Sequence, residues 1–507
     1  MVVFEPNYTR IVSSVRKNLG ITQSVVEVKL QSNEEGVRNV YSIGAKSTVI
    51  KSDVSGNELV FNGLVDFQAM VECDSLKFSA LDYSAEFKDK FIYDKELSGE
   101  VILTSNVIDI NSQVVANGVR VTAIVETNID IIESVDKNVL TGINGDAEIS
   151  TDELNYYTYV GKATEKFDVS DEININGVDQ IYMVTPSVSV SSVVPKNHFA
   201  FISVKLNVDI CCGGRDGENN IITNNLEVGF CWEVALDDIE ENSYIQNAVS
   251  ILSNEIKVST SIEDGNAQIN ILVPINYSGY VFKSSVISVI GDIFSKTHYI
   301  STTSEKVDLL KGEKSVGFKD NINGVAVISD TAPFIDDVLG VSTNNIVIAS
   351  CNIDDNNLVV EGIANSTVLY FTKETNLITS VLVEMPFVVE QKVDADICNV
   401  VSICLNGLSA KSRRGKEIEV SAEIEMFADN YLVSNNCIIS EVHVGEEKPI
   451  DECSLYIYVV KPNDTLWDIA KEMNVSEDLI IEQNPDIQLP LVSGSKLVIY
   501  NPKVMMF

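Results

Sequence analysis

Hydrophobic and polar positions alternate through most of this chain, with the period of two that marks a strand with one buried face. Val119, Val121 and Ile124 follow Asn117-Gly118, and Ile418, Val420, Ala422 and Ile424 follow Arg414-Gly415. Asn-Gly and Asp-Gly suit type I′ hairpin turns, whose central residues both take positive φ. Asp264-Gly265 predicts a further hairpin of this kind. Valine and isoleucine are abundant and only 11 prolines occur, which favours strands. Helical spacing is rare. Tyr8 to Lys17 predicts a helix at the amino terminus, and Ser284 to Phe294 predicts another later in the chain.

The pattern repeats about three times. Asn57-Glu58-Leu59-Val60-Phe61-Asn62-Gly63-Leu64 matches Asn356-Asn357-Leu358-Val359-Val360-Glu361-Gly362-Ile363, with a fainter middle copy from Asn197 to Ser203 that ends on serine in place of glycine. Phe87, Phe230 and Phe387 follow at similar distances, and the three turn glycines come next. Tyr159 before Glu165-Lys166-Phe167-Asp168 also resembles Tyr299 before Glu305-Lys306-Val307-Asp308. The chain is therefore expected to be mainly β. Three tandem β-sandwich-like or barrel-like repeat domains would span 1–145 (with the amino-terminal helix), 150–285 and 290–435. A linker over 436–454 would follow, its polar stretch running from Glu441 to Glu452, and then a small βααβ domain over 455–501.

Length agrees, since 507 residues suggest three or four domains at roughly 150 residues each. Charge removes several functions. With 36 Lys and Arg against 74 Asp and Glu, the net charge of −38 argues against nucleic acid and anionic lipid as partners. Met1 to Leu19 has the cations Arg10, Arg16 and Lys17 but no apolar core of a signal peptide, and no run of about 18 apolar residues predicts a membrane span. Nine cysteines without a CxxC pair fit reduced thiols in a cytosolic setting.

A catalytic set is not expected. His198, His298 and His443 stand far apart without metal-ligand spacing, so no metal or other cofactor is expected. Gly312-Glu313-Lys314-Ser315 resembles the end of a phosphate-binding loop, but position 308 holds Asp308 where the first glycine would stand. Cys211 and Cys212 read as strand thiols on opposite faces. Lys411, Arg413 and Arg414 read as a solvated hairpin cluster.

The last fifty residues carry the strongest signal. Ile457 to Val460 reads as a strand, and Thr465 precedes the helical pattern Leu466, Ile469, Ala470, Met473, with Asp468 completing a capping box. Ser476 opens a second helix that Asn484-Pro485 ends, and Leu497 and Ile499 supply a closing strand. Asp464-Thr465-Leu466-Trp467, Asn484-Pro485 and Gly494 with Lys496-Leu497 together resemble a LysM domain, over about 9% of the chain. Asn463 departs from the glycine usual in that family, though asparagine tolerates a left-handed backbone. The resemblance implies a groove between two loops. Pro462, Asn463, Asp464, Thr465 and Leu466, with Trp467, form one side; Asn484, Pro485, Asp486, Ile487 and Gln488 form the other. Asp464 and Thr465 equally suit helix capping, and Trp467 equally suits core packing.

An acidic β-rich repeat body ending in one LysM resembles the SipL-like spore-coat morphogenetic proteins of clostridia. That resemblance implies a non-enzymatic scaffold at the forespore surface, in the mother-cell cytoplasm and spore coat. Its LysM would dock on the SpoIVA-like coat-basement ATPase, and its body on other coat proteins. The alternative is a surface protein whose LysM binds N-acetylglucosamine polymers, peptidoglycan or chitin oligomers.

Overall fold

The alternation is realised in strands far longer than the usual 3–10 residues. The computed structural model describes residues 4–32, 36–75, 78–214, 221–235, 239–252, 255–263, 266–312, 315–329, 331–375, 377–449 and 455–500. Within these, three β units each begin with a long strand, continue through a three-stranded antiparallel sheet, and end with a long strand returning beside the first.

The first unit comprises β1 (Glu5–Gln31), β2 (Val37–Ser55), β3 (Glu58–Cys73), β4 (Phe78–Ile92), β5 (Glu100–Val115) and β6 (Gly118–Asn144). Its sheets have the orders β1-β6-β5 and β2-β3-β4. The second comprises β7 (Glu148–Asn176), β8 (Val178–Lys196), β9 (Phe199–Gly214), β10 (Ile221–Ala235), β11 (Tyr244–Ile251), β12 (Lys257–Glu263) and β13 (Asn266–Phe294). Here β11 and β12 pair in succession along β13, in the place that β5 takes along β6. The third comprises β14 (His298–Gly312), β15 (Val316–Val327), β16 (Ile335–Asp354), β17 (Asn357–Thr372), β18 (Ile378–Lys392), β19 (Ile397–Arg413) and β20 (Glu417–Glu447). In this unit the first strand is interrupted, and β14 and β15 pair in succession along β20.

Each unit buries alternate residues of both sheets in one core, the arrangement of a β-sandwich. Leu59, Phe61 and Val65 of β3 share a core with Val119, Val121 and Ala123 of β6. Ala200, Ile202 and Leu206 of β9 share one with Ala267, Ile269 and Ile271 of β13. Leu358, Val360 and Ala364 of β17 share one with Ile418, Val420 and Ala422 of β20.

Register gives the repeat its physical meaning. Gly63 lies opposite Phe87 beside a bulge in β2, and Gly362 lies opposite Phe387 beside a bulge in β16. A Cβ on Gly63 would stand 2.4 Å from the Thr48 carbonyl oxygen, and one on Gly362 would stand 2.3 Å from that of Val347. Both glycines therefore admit a close backbone approach and leave room for the phenylalanine ring. In the second unit the matching bulge puts Val204, not Ser203, opposite Phe230. The fainter match is thus off by one residue. The likeness between Tyr159 and Tyr299 is not structural either. Leu154 pairs with Ile287 where Val307 pairs with Asn436, so Tyr159 corresponds to Gly312.

The turns differ in detail. Val115 pairs with Gly118, so the first hairpin loop is Ala116-Asn117, with only Asn117 (φ 59°) clearly left-handed in it. Gly118 already opens β6, where a Cβ would stand 2.0 Å from the Leu30 carbonyl oxygen. Arg414 and Gly415 do both take positive φ, at 53° and 68°. Asp264-Gly265 lies outside the described residues.

Three expectations are corrected. Tyr8 to Lys17 is strand within β1, paired residue by residue with β6 from Leu140 to Ile131. Ser284 to Phe294 is the end of β13, paired with β7. Its Val286, Ile287, Val289, Ile290 and Ile293 are β-branched and suit that state. The supposed linker from 436 continues β20 as far as Glu447, with Ile438 and Ile439 buried.

These long strand ends form three two-stranded ribbons, β1/β6, β7/β13 and β14/β20, and each ribbon contacts the other two. Ile11, Leu154 and Val307 from the first strands meet Val139, Val289 and Ile438 from the second strands in a shared core. Leu140, Ile290 and Ile439 form the next layer. Deeper in the junction the packing turns polar. The Arg16 guanidinium donates to Asp130 Oδ2 through Nε (3.0 Å) and Nη2 (2.5 Å), and to Gln246 Oε1 through Nη1 (3.1 Å). Asp429, fully buried, accepts from the Asn247 amide (2.5 Å), Asn247 Nδ2 (2.7 Å) and Ser315 Oγ (2.6 Å).

Candidate functional site

The carboxy-terminal module is built from β21 (Leu455–Val459), α1 (Leu466–Met473), α2 (Glu477–Gln483) and β22 (Lys496–Tyr500). Its small core gathers Tyr458, Val460, Ile469, Ala470, Val475, Ile480, Leu497 and Ile499. The predicted capping box is present: Thr465 Oγ1 accepts from the Asp468 amide (3.1 Å), and Asp468 Oδ2 accepts from the Thr465 amide (3.1 Å). Hydrogen bonds from Thr465 hold the exposed Asp468 carboxyl below the usual range.

The two predicted loops divide by role. Asn463 takes φ 68°, so asparagine adopts the left-handed conformation that glycine would otherwise supply. Asp464 Oδ2 accepts from the Lys461 amide (2.8 Å) and from Tyr458 Oη (2.9 Å), so this carboxylate holds the loop in shape. Asn484 is likewise a pin: Nδ2 donates to the Ile480 and Val498 carbonyls and Oδ1 accepts from the Val498 amide, each at 2.8 Å. Pro462, Asn463, Thr465, Pro485, Asp486 and Gln488 are exposed, while Leu466 and Ile487 are half-buried on the same small core. Neither loop carries an aromatic residue, so the apolar surface they offer is aliphatic.

Trp467 packs against this core, as the sequence allowed, and also reaches outside the module. Its Nε1 donates to Asp292 Oδ2 (2.8 Å) at the end of β13, and its ring meets Phe294 edge-on at 5.2 Å. Lys471 Nζ donates to the same carboxylate at 2.7 and 2.6 Å, and Asn474 Nδ2 donates to the Lys296 carbonyl (2.8 Å). Lys448 Nζ joins the contact from the other side, donating to the Ser295 carbonyl (2.7 Å) and Asn474 Oδ1 (2.9 Å). Burial alone would push the Asp292 carboxyl up, but the hydrogen bonds from Lys471 and Trp467 outweigh it and hold it below the usual range. One helix face of the module is thus fastened to the second unit. The partner of Trp467 is more than 170 residues away in sequence, beyond what the local motif reports.

Replacing Asp292 with alanine is expected to loosen this contact by about 1–3 kcal/mol, because the Trp467 and Lys471 donors lose their acceptor. The check is fluorescence and limited proteolysis. Emission from Trp467 should shift to longer wavelength, and cleavage between Glu447 and Leu455 should accelerate. Unchanged cleavage would refute the fastening role.

A second candidate lies where the three units meet, a cavity of about 610 Å³ lined by Ser, Thr and Asn from each unit. Lys46 faces it and donates from Nζ to the Pro186 carbonyl (2.5 Å). Ser47, Ser105 and Asn344 are among its lining residues, and their Oγ, Oγ and Oδ1 atoms are buried without a hydrogen-bond partner. Among the described residues no group of three or more His, Cys, Asp or Glu is placed to hold a metal ion, and no helix is long and apolar enough to cross a membrane.

No curated protein and no solved structure matches the chain. The strand-helix-helix-strand order, the capping box and the paired loops agree with the family model that does match, so residues 458–499 are a LysM domain, a binding module.

Proposed function

We propose that this protein is a non-enzymatic binding scaffold in which the LysM loops Pro462–Leu466 and Pro485–Gln488 make the docking contact. The observation that carries this is the division of the module: both loops present mostly exposed residues, while Trp467 and Lys471 are spent on the body. The module is held by its helix and offers its loops. The finer reading follows the SipL-like resemblance. The chain would tether the spore coat to the forespore surface in the mother-cell cytoplasm, its LysM docking on the SpoIVA-like coat-basement ATPase and its three β units serving other coat proteins. Sugar rings stack best on aromatic faces, and these loops have none; that favours a protein partner.

The second reading is binding of N-acetylglucosamine polymers, peptidoglycan or chitin oligomers, which the LysM family match favours. One full-length variant separates them, Asp486→Arg with Gln488→Arg, both exposed and outside the core. Co-purification of the ATPase from sporulating cells should fall at least tenfold in the variant (about 1.4 kcal/mol or more), and calorimetry with chitin oligomers should give no heat at millimolar concentration. Heat from the parent chain that the variant lacks would install the glycan reading. Retained co-purification without heat would remove both.

A further inference from the structure

The third unit holds two thiols that the LysM function leaves unused. Cys351 lies on β16 and Cys398 on β19, the edge strands of opposite sheets, which touch at one corner of the sandwich. Both are free and half-buried. Cys351 Sγ stands 3.8 Å from the Cys398 carbonyl oxygen, which brings the two cysteines side by side. Register makes the pair peculiar to this unit. The corresponding positions hold Ser52 and Val101 in the first unit, and Val193 and Ile245 in the second. A polar residue would suffice at an exposed corner and an aliphatic one at a buried corner, as in those two units. Two thiols side by side across the sheets add a chemistry that neither alternative has.

We propose that Cys351 and Cys398 are a dithiol modification site, closed to an inter-sheet disulfide by a low-molecular-weight disulfide acting as the oxidant. The hydrogen bond from Cys398 favours the Cys351 thiolate and lowers its pKa, whereas burial pushes the Cys212 and Cys404 thiols up to about 11. The Cys351 thiolate attacks one sulfur of the small disulfide, forming a mixed disulfide and releasing one thiolate. Cys398 then gives its proton to that thiolate and attacks the Cys351 sulfur, expelling the second small thiolate, which takes the proton Cys351 had lost. Two protein thiols have given up two electrons and two protons, and one small disulfide has become two small thiols. The bond would tie β16 to β19 and so fix the corner of the third sandwich.

The test uses the full chain, incubated with oxidised glutathione, trapped with iodoacetamide, and mapped by mass spectrometry without reduction. The expected result is a cross-linked pair of peptides containing Cys351 and Cys398, with both alkylation sites lost together and restored by dithiothreitol. Melting of the oxidised chain should rise by several degrees, and Cys398→Ser should instead accumulate glutathione on Cys351. Exposed Cys231 and Cys437 report the background of single-site modification. Alkylation of both Cys351 and Cys398 while Cys231 and Cys437 carry glutathione would overturn the proposal. A mixed disulfide at Cys351 in the parent chain that never closes would overturn it as well. Peptide mapping of the parent chain decides even where the variant fails to fold.

Discussion

Arg16→Met is expected to destabilise the folded chain by about 3–5 kcal/mol, the range for breaking a buried ion pair from one side. Arg16 and Asp130 are both at least nine-tenths buried, at 9% and 5% exposure. Burial disfavours the Arg16 charge, but attraction and hydrogen bonding from Asp130 outweigh it and raise the pKa. Methionine fills much of the volume and removes every donor. Asp130 would keep only Asn18 Nδ2 (2.8 Å) among the side chains that now donate to it, and Gln246 Oε1 would lose the Arg16 hydrogen bond. Lysine should recover only part of the loss, because one ammonium cannot reproduce the guanidinium fork that reaches two partners. Arg16→Met with Asp130→Leu should recover only part of it, since Asp130 no longer stands uncompensated but the buried Asp429 still loses the attraction of Arg16. Denaturant midpoints for the four chains check this. A loss under about 1 kcal/mol in Arg16→Met would show that the pair is not what holds the junction.

The second large effect is a dependence on pH centred on Asp429. Burial pushes this carboxyl up to about 6, against opposing hydrogen bonds from Ser315 and Asn247 and the attraction of Arg16. Tyr244 and Tyr277 also face it, their own pKa values raised chiefly by burial, so they stay neutral across the range concerned. The unfolded carboxyl titrates near 3.8. Between that value and about 6 the folded chain binds the proton and the unfolded chain does not. Its contribution to stability is therefore fully present below pH 3.8 and is lost as pH rises through about 6. Two pKa units correspond to about 3 kcal/mol. The many surface carboxylates titrate too, so the measurement is a difference. Asparagine at this position carries no charge at any pH, and the stability of the parent chain relative to Asp429→Asn should fall by roughly 2 kcal/mol between pH 4 and pH 7. A flat difference would mean that Asp429 is ionised in the folded chain throughout.

The β character and the LysM module were legible because their signals are local. Alternation names strands, and Thr465 with Asp468 names a helix start. Tyr8 to Lys17 misled because Tyr8, Ile11, Val12 and Val15 have helical spacing, while the choice between states is made by β6, whose partner residues lie over 110 positions away. The middle repeat slipped by one residue because its bulge near Val190 has no composition of its own, and a one-residue slip exchanges the faces of a strand. In the site, Asn463 was readable because its left-handed backbone is a property of one residue. The core packing of Trp467 was readable too, but its contact to Asp292 was not, because that acceptor belongs to a different unit.

The three ribbons also set a condition on how the protein is made. Ile11, Val139 and Leu140 leave the ribosome in the first 144 residues, yet their cover includes Val307, Leu309, Ile438 and Ile439. At about 5–20 residues per second, the nascent chain carries an unfinished apolar flank for tens of seconds after the first sandwich has its own core. A message cut short after the second unit would yield two closed sandwiches with an open, sticky flank, so chaperone occupancy during translation should be concentrated on that flank and end with the emergence of β20.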